Sequence, residues 1–386
     1  MAMNISLATI GYVAAAFGVA ALVAFISTPV VKSLAFRVGA VDDPKKDKDP
    51  GRRMHRNPIP RMGGLAIFLG FLLSILIFIP MDNPMKGLLL GSIIIVILGI
   101  FDDIYDLPAK FKFLVQIIAA VVAMLSGNII TVLSNPNIFS TNPVWVLGWL
   151  SYPITVLWIV AITNAVNLID GLDGLACGVS TISSMTMLVV ALLVTESREA
   201  VVMGALAGAC LGFLPYNLNP AKIFMGDTGS TFLGFVLATV SVQGMFKLPT
   251  IITFVAPFLM LGLPIFDTTF AFIRRIAHGQ SPMHADRGHV HHRLIDMGFS
   301  QKQAVGILYV ISAILGLSAV VLTTAGAMRA MLFLLAMCAA GLVAAKIFLS
   351  NNVEGRKKEL PEESGQHMDK PHREEPKPEW KESDHG

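Results

Sequence analysis

Four polar clusters interrupt an otherwise apolar chain, and each of them follows a hydrophobic segment. They are Phe101–Asp103, Asn167–Gly174, Phe224–Gly229 and His289–Arg293. Together they contain five aspartates and three histidines. Because hydrocarbon excludes carboxylates strongly, a group of carboxylates at a membrane edge needs a compensating cation. The clusters therefore predict a reaction site rather than a scaffold.

The first cluster places two adjacent carboxylates at the end of the third hydrophobic segment. Asp106 follows Asp102 at the i+4 position, so the two side chains are expected on one helix face, with Asp103 beside them. The alternative is a charged helix end that simply stops the segment in water. One aspartate would suffice for that, and aspartate at a helix C-terminus opposes the macrodipole. The pair points to a metal or to proton transfer.

The second cluster repeats polar residues at a spacing of three. Asn164, Asn167 and Asp170 are expected to line one side of a helix end, after which glycines let the backbone turn. Asp173 stands where the sixth helix is predicted to begin, so an N-cap is its alternative role. Capping alone does not explain why two asparagines and another aspartate occur within the same ten residues, at a membrane edge.

The third cluster, with Asp227 between two glycines, precedes an apolar helix. Its free N–H groups would suit a phosphate. It is not a nucleotide P-loop, because the Gly-Lys-Ser ending is absent.

The fourth cluster, with Arg287 shortly before it, combines histidines with arginines, in the order Arg287, His289, His291, His292 and Arg293. A zinc site is the obvious alternative interpretation of three clustered histidines, but their spacing matches neither a zinc finger nor a His-Glu-x-x-His helix. Arginine and histidine together bind phosphate or polar sugar groups more naturally, so we favour an anion site over zinc.

The elements that position these clusters are predicted to be membrane helices. Of the 386 residues 54% are hydrophobic and only 14% are charged, and the mean hydropathy is +0.68. This composition is that of a polytopic membrane protein, which satisfies the hydrogen bonds of its backbone by forming helices. Apolar windows predict eleven spans, near 5–28, 64–80, 86–101, 110–127, 144–166, 174–195, 199–215, 229–246, 250–276, 303–323 and 327–349.

The distribution of basic residues sets the predicted orientation. The first span is too long for a cleaved signal sequence, so we expect it to be retained with the N-terminus outside. Lysines and arginines then concentrate in the loops after the first, third and ninth spans, which are assigned to the cytoplasm. All four clusters fall on that side, as does the C-terminus. We expect a transmembrane domain over residues 1–350 and a disordered, charged cytoplasmic tail over 351–386.

With these residues in hand, the chain resembles the polyprenyl-phosphate N-acetylhexosamine-1-phosphate transferase family. The matching blocks occur in the family order and cover most of the chain: PRMGG at 60–64, FDD at 101–103, NAVNLIDGLDGLA at 164–176, FMGDTGS at 224–230 and ADRGHVHHRL at 285–294. The resemblance implies an eleven-helix bundle with a cytoplasmic active site in a bacterial plasma membrane. The last block is similar to the branch that uses GlcNAc. A proline-containing triple-histidine loop, usual in the muramoyl-pentapeptide branch, is absent, which makes that branch the alternative.

The implied reaction transfers GlcNAc-1-phosphate from UDP-GlcNAc to undecaprenyl phosphate and releases UMP, as the first membrane step of cell-envelope glycan synthesis. The resemblance implies Mg²⁺, with Mn²⁺ as a substitute, held by Asn167 and Asp227. It implies that Asp102 deprotonates or orients the lipid phosphate and that Asp103 supports it. Asp227 is also counted among the catalytic residues. Direct attack is preferred to a carboxylate nucleophile. The remaining polar residues would bind the donor: Asn164, Asp170, Asp173, Arg287, His289, His291, His292 and Arg293.

Two other classes stay open from the sequence. A transporter would carry polar residues near the midplane and show paired halves, whereas these carboxylates stand at helix ends and no halves match. A membrane metallohydrolase using the histidine loop is the second rival. The expected partners are UDP-GlcNAc, undecaprenyl phosphate and membrane lipid, with no nucleic acid. A homodimer is one option for the oligomeric state.

Overall fold

The computed structural model describes residues 7–44, 57–134, 144–194, 197–244, 251–279 and 289–341. The chain forms two compact units, Met1–Ala336 and Met337–Gly386. The described residues of the second unit, 337–341, are helical. The tail predicted over 351–386 lies outside the described residues.

Helices make up nearly all of the described structure, as the sequence predicts. Their bounds are α1 Leu7–Val38, α2 Gly64–Phe78, α3 Asn83–Tyr105, α4 Ala109–Leu125, α5 Ser151–Leu168, α6 Leu175–Leu193, α7 Ser197–Asn217, α8 Gly226–Gly244, α9 Ile251–Met260, α10 Gly262–Ala277, α11 Val290–Asp296, α12 Gln301–Ala325 and α13 Ala327–Gly341. Two short antiparallel pairs join them: β1 (Val41–Asp42) with β2 (Ile59–Pro60), and β3 (Val132–Ser134) with β4 (Val144–Val146).

Six helices of the described residues are long and apolar enough to cross a membrane. They are α1, α3, α5 with the turn before it, α6, α7 and α12. The all-helical, polytopic membrane fold is therefore confirmed. The predicted start of the fifth span at residue 144 is wrong, because 144–146 form β4 and α5 begins only at Ser151.

The predicted ninth span is divided into α9 and α10, and a proline explains the break. Pro264 has no N–H for the carbonyl of Met260, and its ring would clash with that carbonyl, so α9 ends there. The carbonyl that Pro264 leaves unpaired accepts a hydrogen bond of 2.7 Å from the Ser183 hydroxyl of α6. The polar group exposed by the break is thus satisfied by a neighbouring helix.

Small residues let the helices on one side of the bundle approach closely. A Cβ added at Gly208 of α7 would lie 2.2 Å from the carbonyl oxygen of Phe17, and one at Gly212 would lie 2.1 Å from that of Ala21. Helix α1 packs along α7 at this stripe, which is the small-residue contact typical of membrane helices.

Helix α8 lies at the centre of the bundle, in contact with α2, α3, α5 and α6. Its side chains are buried almost throughout the described part. The N-terminus of α8 is thereby surrounded by the ends of its neighbours, which carry the polar clusters.

Candidate active site

The segment that leads into α8 is held by the start of α2 and the residues just before it. The N–H groups of Gly63 and Gly64 donate to the carbonyls of Phe224 and Met225 at 2.9 Å each, and the N–H of Phe224 donates to the carbonyl of Pro60 at 2.8 Å. These bonds join two of the sequence blocks backbone to backbone.

A close contact between α2 and α8 requires glycine at this point. A Cβ added at Gly64 would lie only 2.0 Å from the Cα atom of Gly229. The Gly63-Gly64 pair therefore permits a close approach of neighbouring helices.

Asp103 caps the N-terminus of α8 from the end of α3. Its Oδ1 accepts from the N–H of Asp227 at 2.9 Å, and its Oδ2 accepts from the N–H of Thr228 at 3.1 Å and from the Thr228 hydroxyl at 2.6 Å. A carboxylate at a helix N-terminus satisfies unpaired donors and favours the macrodipole. The prediction that these N–H groups are free for a phosphate is wrong for both residues, since Asp103 occupies them.

Asp102, the neighbour of Asp103, faces a different partner. The ammonium of Lys112 in α4 lies 2.9 Å from Asp102 Oδ2 and 3.1 Å from Asp227 Oδ2, so one cation bridges the two carboxylates. The N–H of Leu107 donates to the other oxygen of Asp102 at 2.8 Å. Sequence reasoning used Lys112 only as a topological charge, although its position shortly after the aspartate pair was a usable signal.

The expectation that Asp106 shares a helix face with Asp102 is wrong. Helix α3 ends at Tyr105, and Asp106 takes a left-handed conformation with φ of 55° at the C-cap. Its side chain is exposed, whereas Asp102 and Asp103 are buried.

The two asparagines of α5 contact different neighbours. Asn167 donates from Nδ2 to Asp227 Oδ1 at 3.1 Å and to the Ser230 hydroxyl at 2.8 Å, so it lies beside α8. Asn164 donates to the side-chain oxygen of Gln116 in α4 at 2.6 Å and to the carbonyl of Val160. Asn164 thus joins α5 to α4 one turn before the carboxylates, and Gln116 is a partner that the sequence did not indicate.

Asp170 is not part of the helix face predicted for it, because α5 ends at Leu168. Part of the residue remains open to solvent, yet the carboxyl lies deep among protein atoms. Burial, followed by the negative charges of Asp227 and Asp103, raises the pKa of Asp170 to about 8.

Asp173 does not cap α6, so the alternative reading of this residue as an N-cap is wrong. The N-cap is Gly174, with a positive φ of 77° and no side-chain cap. Asp173 Oδ2 instead accepts from the Asn219 amide at 2.9 Å and from the N–H of Ala221 at 3.0 Å. It joins the α5–α6 turn to the segment that leads into α8.

Arg61 supplies a second positive charge to the aspartate group. Its Nε lies 3.5 Å from Asp103 Oδ1. Burial opposes the charge of the guanidinium, but the attraction of Asp103 and Asp227 outweighs burial and raises the pKa of Arg61. Lys112 and Arg61 thus offset part of the negative charge that the carboxylates accumulate.

The histidine cluster lies against the α5–α6 turn. His291 is buried, and a Cβ added at Gly171 would lie 2.2 Å from its Nε2. Burial, together with the charge of His292, lowers the pKa of His291 to about 4, so the ring is neutral at pH 7. The His291 and His292 rings are 4.3 Å apart, and the Arg293 guanidinium lies 5.3 Å from the Phe270 ring. Arg287 falls outside the described residues.

Asp267 of α10 is a site residue that sequence reasoning missed. Its carboxylate oxygens lie 2.8 Å from the Nδ1 atom of His289 and 2.8 Å from the N–H of Val290. The sequence did contain a signal, because Asp267 is an isolated carboxylate in an apolar helix. Such a group is costly to bury unless it is hydrogen-bonded or paired, so it predicts a specific partner.

The donor set suits a hard divalent cation better than zinc. Among the described residues no group of three or more His, Cys, Asp and Glu side chains is placed to hold a metal ion. Mg²⁺, however, needs only one or two protein oxygens, because it keeps waters and substrate phosphate oxygens. Asp102 and Asp227 already share one cation, the Lys112 ammonium, which shows that their oxygens converge on a position that favours positive charge.

Comparison with known proteins is consistent with this arrangement. The family model described as "Glycosyl transferase family 4" matches residues 85–245. The chain is 46% identical over 311 residues to the "Probable undecaprenyl-phosphate N-acetylglucosaminyl 1-phosphate transferase" of Bacillus subtilis, which covers 80% of this chain and 85% of that protein. It is 35% identical to the "Decaprenyl-phosphate N-acetylglucosaminephosphotransferase" of Mycolicibacterium smegmatis, over 75% of this chain and 77% of that one.

A member of the alternative branch is also similar. The chain is 32% identical over 289 residues to the "Phospho-N-acetylmuramoyl-pentapeptide-transferase" of Staphylococcus aureus, over 70% of this chain and 87% of that protein. The identity to the Bacillus relative, whose name specifies an N-acetylglucosaminyl group, is thus higher than the identity to this muramoyl-pentapeptide relative.

Proposed function

The chain belongs to glycosyl transferase family 4, and we propose that it transfers GlcNAc-1-phosphate from UDP-GlcNAc to undecaprenyl phosphate. The products are undecaprenyl-diphosphate-GlcNAc and UMP. The Bacillus relative supports the proposal, because it is 46% identical and is named as an undecaprenyl-phosphate N-acetylglucosaminyl 1-phosphate transferase.

The observation that carries the proposal is the Lys112 bridge between Asp102 and Asp227. It joins the ends of α3, α4 and α8 at 2.9 and 3.1 Å and places a positive charge between two carboxylates. Two anionic phosphates must meet in this reaction, and they repel each other unless positive charge lies near both. The bridge supplies a positive group that can approach phosphate oxygens.

Asp227, with the side-chain oxygen of Asn167, would hold Mg²⁺ in this site. When bound, Mg²⁺ neutralises charge that develops on the pyrophosphate and orients it. Mn²⁺ is expected to substitute, since it also prefers oxygen ligands. Asn167 already contacts Asp227 through its amide nitrogen at 3.1 Å, which keeps the two side chains together.

We assign different roles to the adjacent aspartates. Asp103 is a positioning residue, because both of its oxygens hold the start of α8. Asp102 orients the lipid phosphate or removes its remaining proton. A phosphate monoester is largely dianionic at neutral pH, so orientation is the larger part of that role.

Direct attack requires no covalent intermediate on the protein. An oxygen of the lipid phosphate forms a bond to the β-phosphorus of UDP-GlcNAc. The bond from that phosphorus to the bridging oxygen breaks, and UMP leaves with the electron pair. A carboxylate nucleophile is the alternative.

The donor would bind between the α5–α6 turn and the histidine cluster. Asp170 and Asp173 belong to the turn, and His289, His291, His292 and Arg293 belong to the cluster, where His291 contacts Gly171. Arg287 would join them. Asn164 supports this region from one turn deeper through Gln116.

We further propose eleven spans in a bacterial plasma membrane, with the N-terminus outside and the site and C-terminus in the cytoplasm. The loop charges support that orientation. The product would enter cell-envelope glycan synthesis, of the teichoic-acid or O-antigen kind. A homodimer stays a prediction.

The deciding experiment gives purified protein radiolabelled UDP-GlcNAc, Mg²⁺ and undecaprenyl phosphate, and then UDP-MurNAc-pentapeptide in place of the first donor. Label in the lipid fraction from UDP-GlcNAc, with release of UMP, supports the proposal. Transfer from UDP-MurNAc-pentapeptide alone would assign the peptidoglycan branch. Failure with both donors would refute the transferase function.

A further inference from the structure

A buried carboxylate in α10, Asp267, contacts the first residues of the histidine cluster. Asp267 lies outside the residues matched by the family model and outside the five sequence blocks. It is 3% exposed. With His291 it lines a small cavity whose other lining residues are all apolar. Burying a carboxylate in such surroundings is costly unless both oxygens find partners. The position therefore calls for a specific reason.

Both oxygens of Asp267 are used, and they serve different purposes. One accepts from the N–H of Val290, the first residue of α11, at 2.8 Å. That bond alone would fix the start of the short helix. The other lies 2.8 Å from the His289 ring. This second contact adds a side chain of the histidine cluster to what Asp267 holds.

The second contact determines the protonation pattern of His289. A carboxylate only accepts, so the Nδ1 atom of His289 must carry a proton and donate it. In the neutral ring the other nitrogen, Nε2, is then a bare acceptor; in the charged ring it is a donor. Either way Asp267 occupies Nδ1 and leaves Nε2 for another partner.

The orientation of His289 extends to its neighbour. The rings of His289 and His291 are 5.7 Å apart and nearly parallel, at 7°. His291 in turn contacts Gly171 in the α5–α6 turn. A continuous series of contacts thus runs from Asp267 through two rings to the turn that carries Asp170.

We propose that Asp267 is a positioning residue for donor recognition, which holds His289 as its Nδ1–H tautomer so that Nε2 meets the UDP-sugar. The inference deepens the proposed function and rests on it. Asp267 acts through His289 and does not itself touch the substrate. In the same way, the aspartate of a catalytic triad binds the Nδ1–H of a histidine and so fixes the tautomer and orientation of its ring.

The test compares Asp267→Asn with the wild type. Asparagine keeps an oxygen for the N–H of Val290 but turns an amide N–H₂ toward Nδ1, so His289 must move its proton to Nε2. We expect kcat/KM for UDP-GlcNAc to fall at least tenfold, while KM for undecaprenyl phosphate and the midpoint of thermal unfolding change little. The matched control is Thr268→Val, which removes a buried hydroxyl without a hydrogen-bond partner and should leave turnover unchanged.

A double variant separates positioning from a structural role. His289→Asn retains a donor toward Asp267 and lacks the second ring nitrogen. When Asp267→Asn is added to His289→Asn, we expect kcat/KM to fall by a further factor of less than three. Three results would overturn the inference. The first is that the losses in kcat/KM caused by Asp267→Asn and His289→Asn multiply fully in the double variant. The others are equal effects of Asp267→Asn on both substrates and wild-type kinetics for Asp267→Asn alone.

A spectroscopic measurement tests the effect of Asp267 on His289 independently of the proposed enzymatic function. In protein with ¹⁵N-labelled histidine, the His289 signals are identified by their loss in His289→Asn. They should show a protonated Nδ1 in the wild type and a protonated Nε2 in Asp267→Asn. If neither UDP-sugar donor is used by the wild type, the proposed function fails, and donor recognition fails with it. Unchanged signals in Asp267→Asn would refute the control of His289 by Asp267 whatever the activity.

Discussion

Replacing Asp103 by asparagine tests whether this carboxylate positions α8 or takes part in chemistry. Asparagine has the same shape but retains only one acceptor oxygen. If that oxygen accepts from the N–H of Asp227, the amide nitrogen faces the N–H of Thr228. That donor lies in a buried position, since Thr228 is 0% exposed. The variant therefore leaves one buried backbone donor unpaired and removes the negative charge from the helix N-terminus.

The expected loss follows from these two changes. An unpaired buried donor costs about 1–3 kcal/mol. Losing a carboxylate at a partly buried helix N-terminus costs up to about 2 kcal/mol more. The combined destabilisation is about 1–5 kcal/mol. Because about 1.4 kcal/mol corresponds to a factor of ten, the correctly held start of α8 should become about 5-fold to several-thousand-fold less populated.

The assay measures turnover and the midpoint of thermal unfolding in detergent, side by side. We expect Asp103→Asn to lower both, and Asp102→Asn to lower turnover with a smaller change in the midpoint. Thr228→Val should reproduce part of the loss, because it removes the 2.6 Å hydroxyl bond to Asp103, whereas Thr228→Ser keeps a hydroxyl and should resemble the wild type.

Two results would refute this reasoning. The first is a wild-type midpoint for Asp103→Asn combined with a loss of turnover as large as that of Asp102→Asn. The second is equal stability for Thr228→Val and Thr228→Ser. Either would mean that Asp103 does not act by holding the helix.

Three further predictions follow from single contacts. Lys112→Met leaves its two carboxylates without their shared cation; because Lys112 is 28% exposed, we expect a loss of roughly tenfold in label transfer, with Lys112→Arg keeping more activity. Gly64→Ala adds a Cβ 2.0 Å from the backbone of α8 and should cost about 1–3 kcal/mol in thermal stability, whereas Gly306→Ala, with nothing within 4 Å, should be neutral or stabilising. His291 has a folded-state pKa of about 4, below the value of about 6.5 expected when unfolded, so its contribution to stability is full above pH 6.5 and is lost as the pH falls toward 4. Thermal unfolding of the wild type and His291→Gln between pH 7.5 and 4.5 checks this.

Each of these predictions has a contrary outcome. Wild-type transfer by Lys112→Met would show that the bridge is dispensable. Equal midpoints for the two glycine variants would contradict the close contact of α2 with α8. A constant difference in midpoint between wild type and His291→Gln across the pH range would contradict the lowered pKa.

The spans and their polar ends could be predicted because they depend on local composition. A long apolar segment must form a helix in a membrane, and the places where it stops can be read from the chain. Where prediction failed, either the local backbone or a contact between distant segments was responsible. The local cases are the end of α3 before Asp106 and the end of α9 near Pro264, where the backbone leaves the helix that was predicted to continue. The distant cases are Asp103 and Asp173, whose hydrogen-bond partners lie more than 40 residues away in the chain.

The sequence by itself determined the all-helical membrane fold, the clustering of carboxylates at helix ends, and the family. Tertiary structure alone decided which carboxylate holds α8 and which faces Lys112, although Asp102 and Asp103 are adjacent and identical in type. It also decided that Lys112 and Asp267 belong to the site. The physical reason is that hydrophobic periodicity fixes where a residue lies along its own helix. The choice of hydrogen-bond partner depends on how neighbouring helices are packed around it, at distances of about 3 Å.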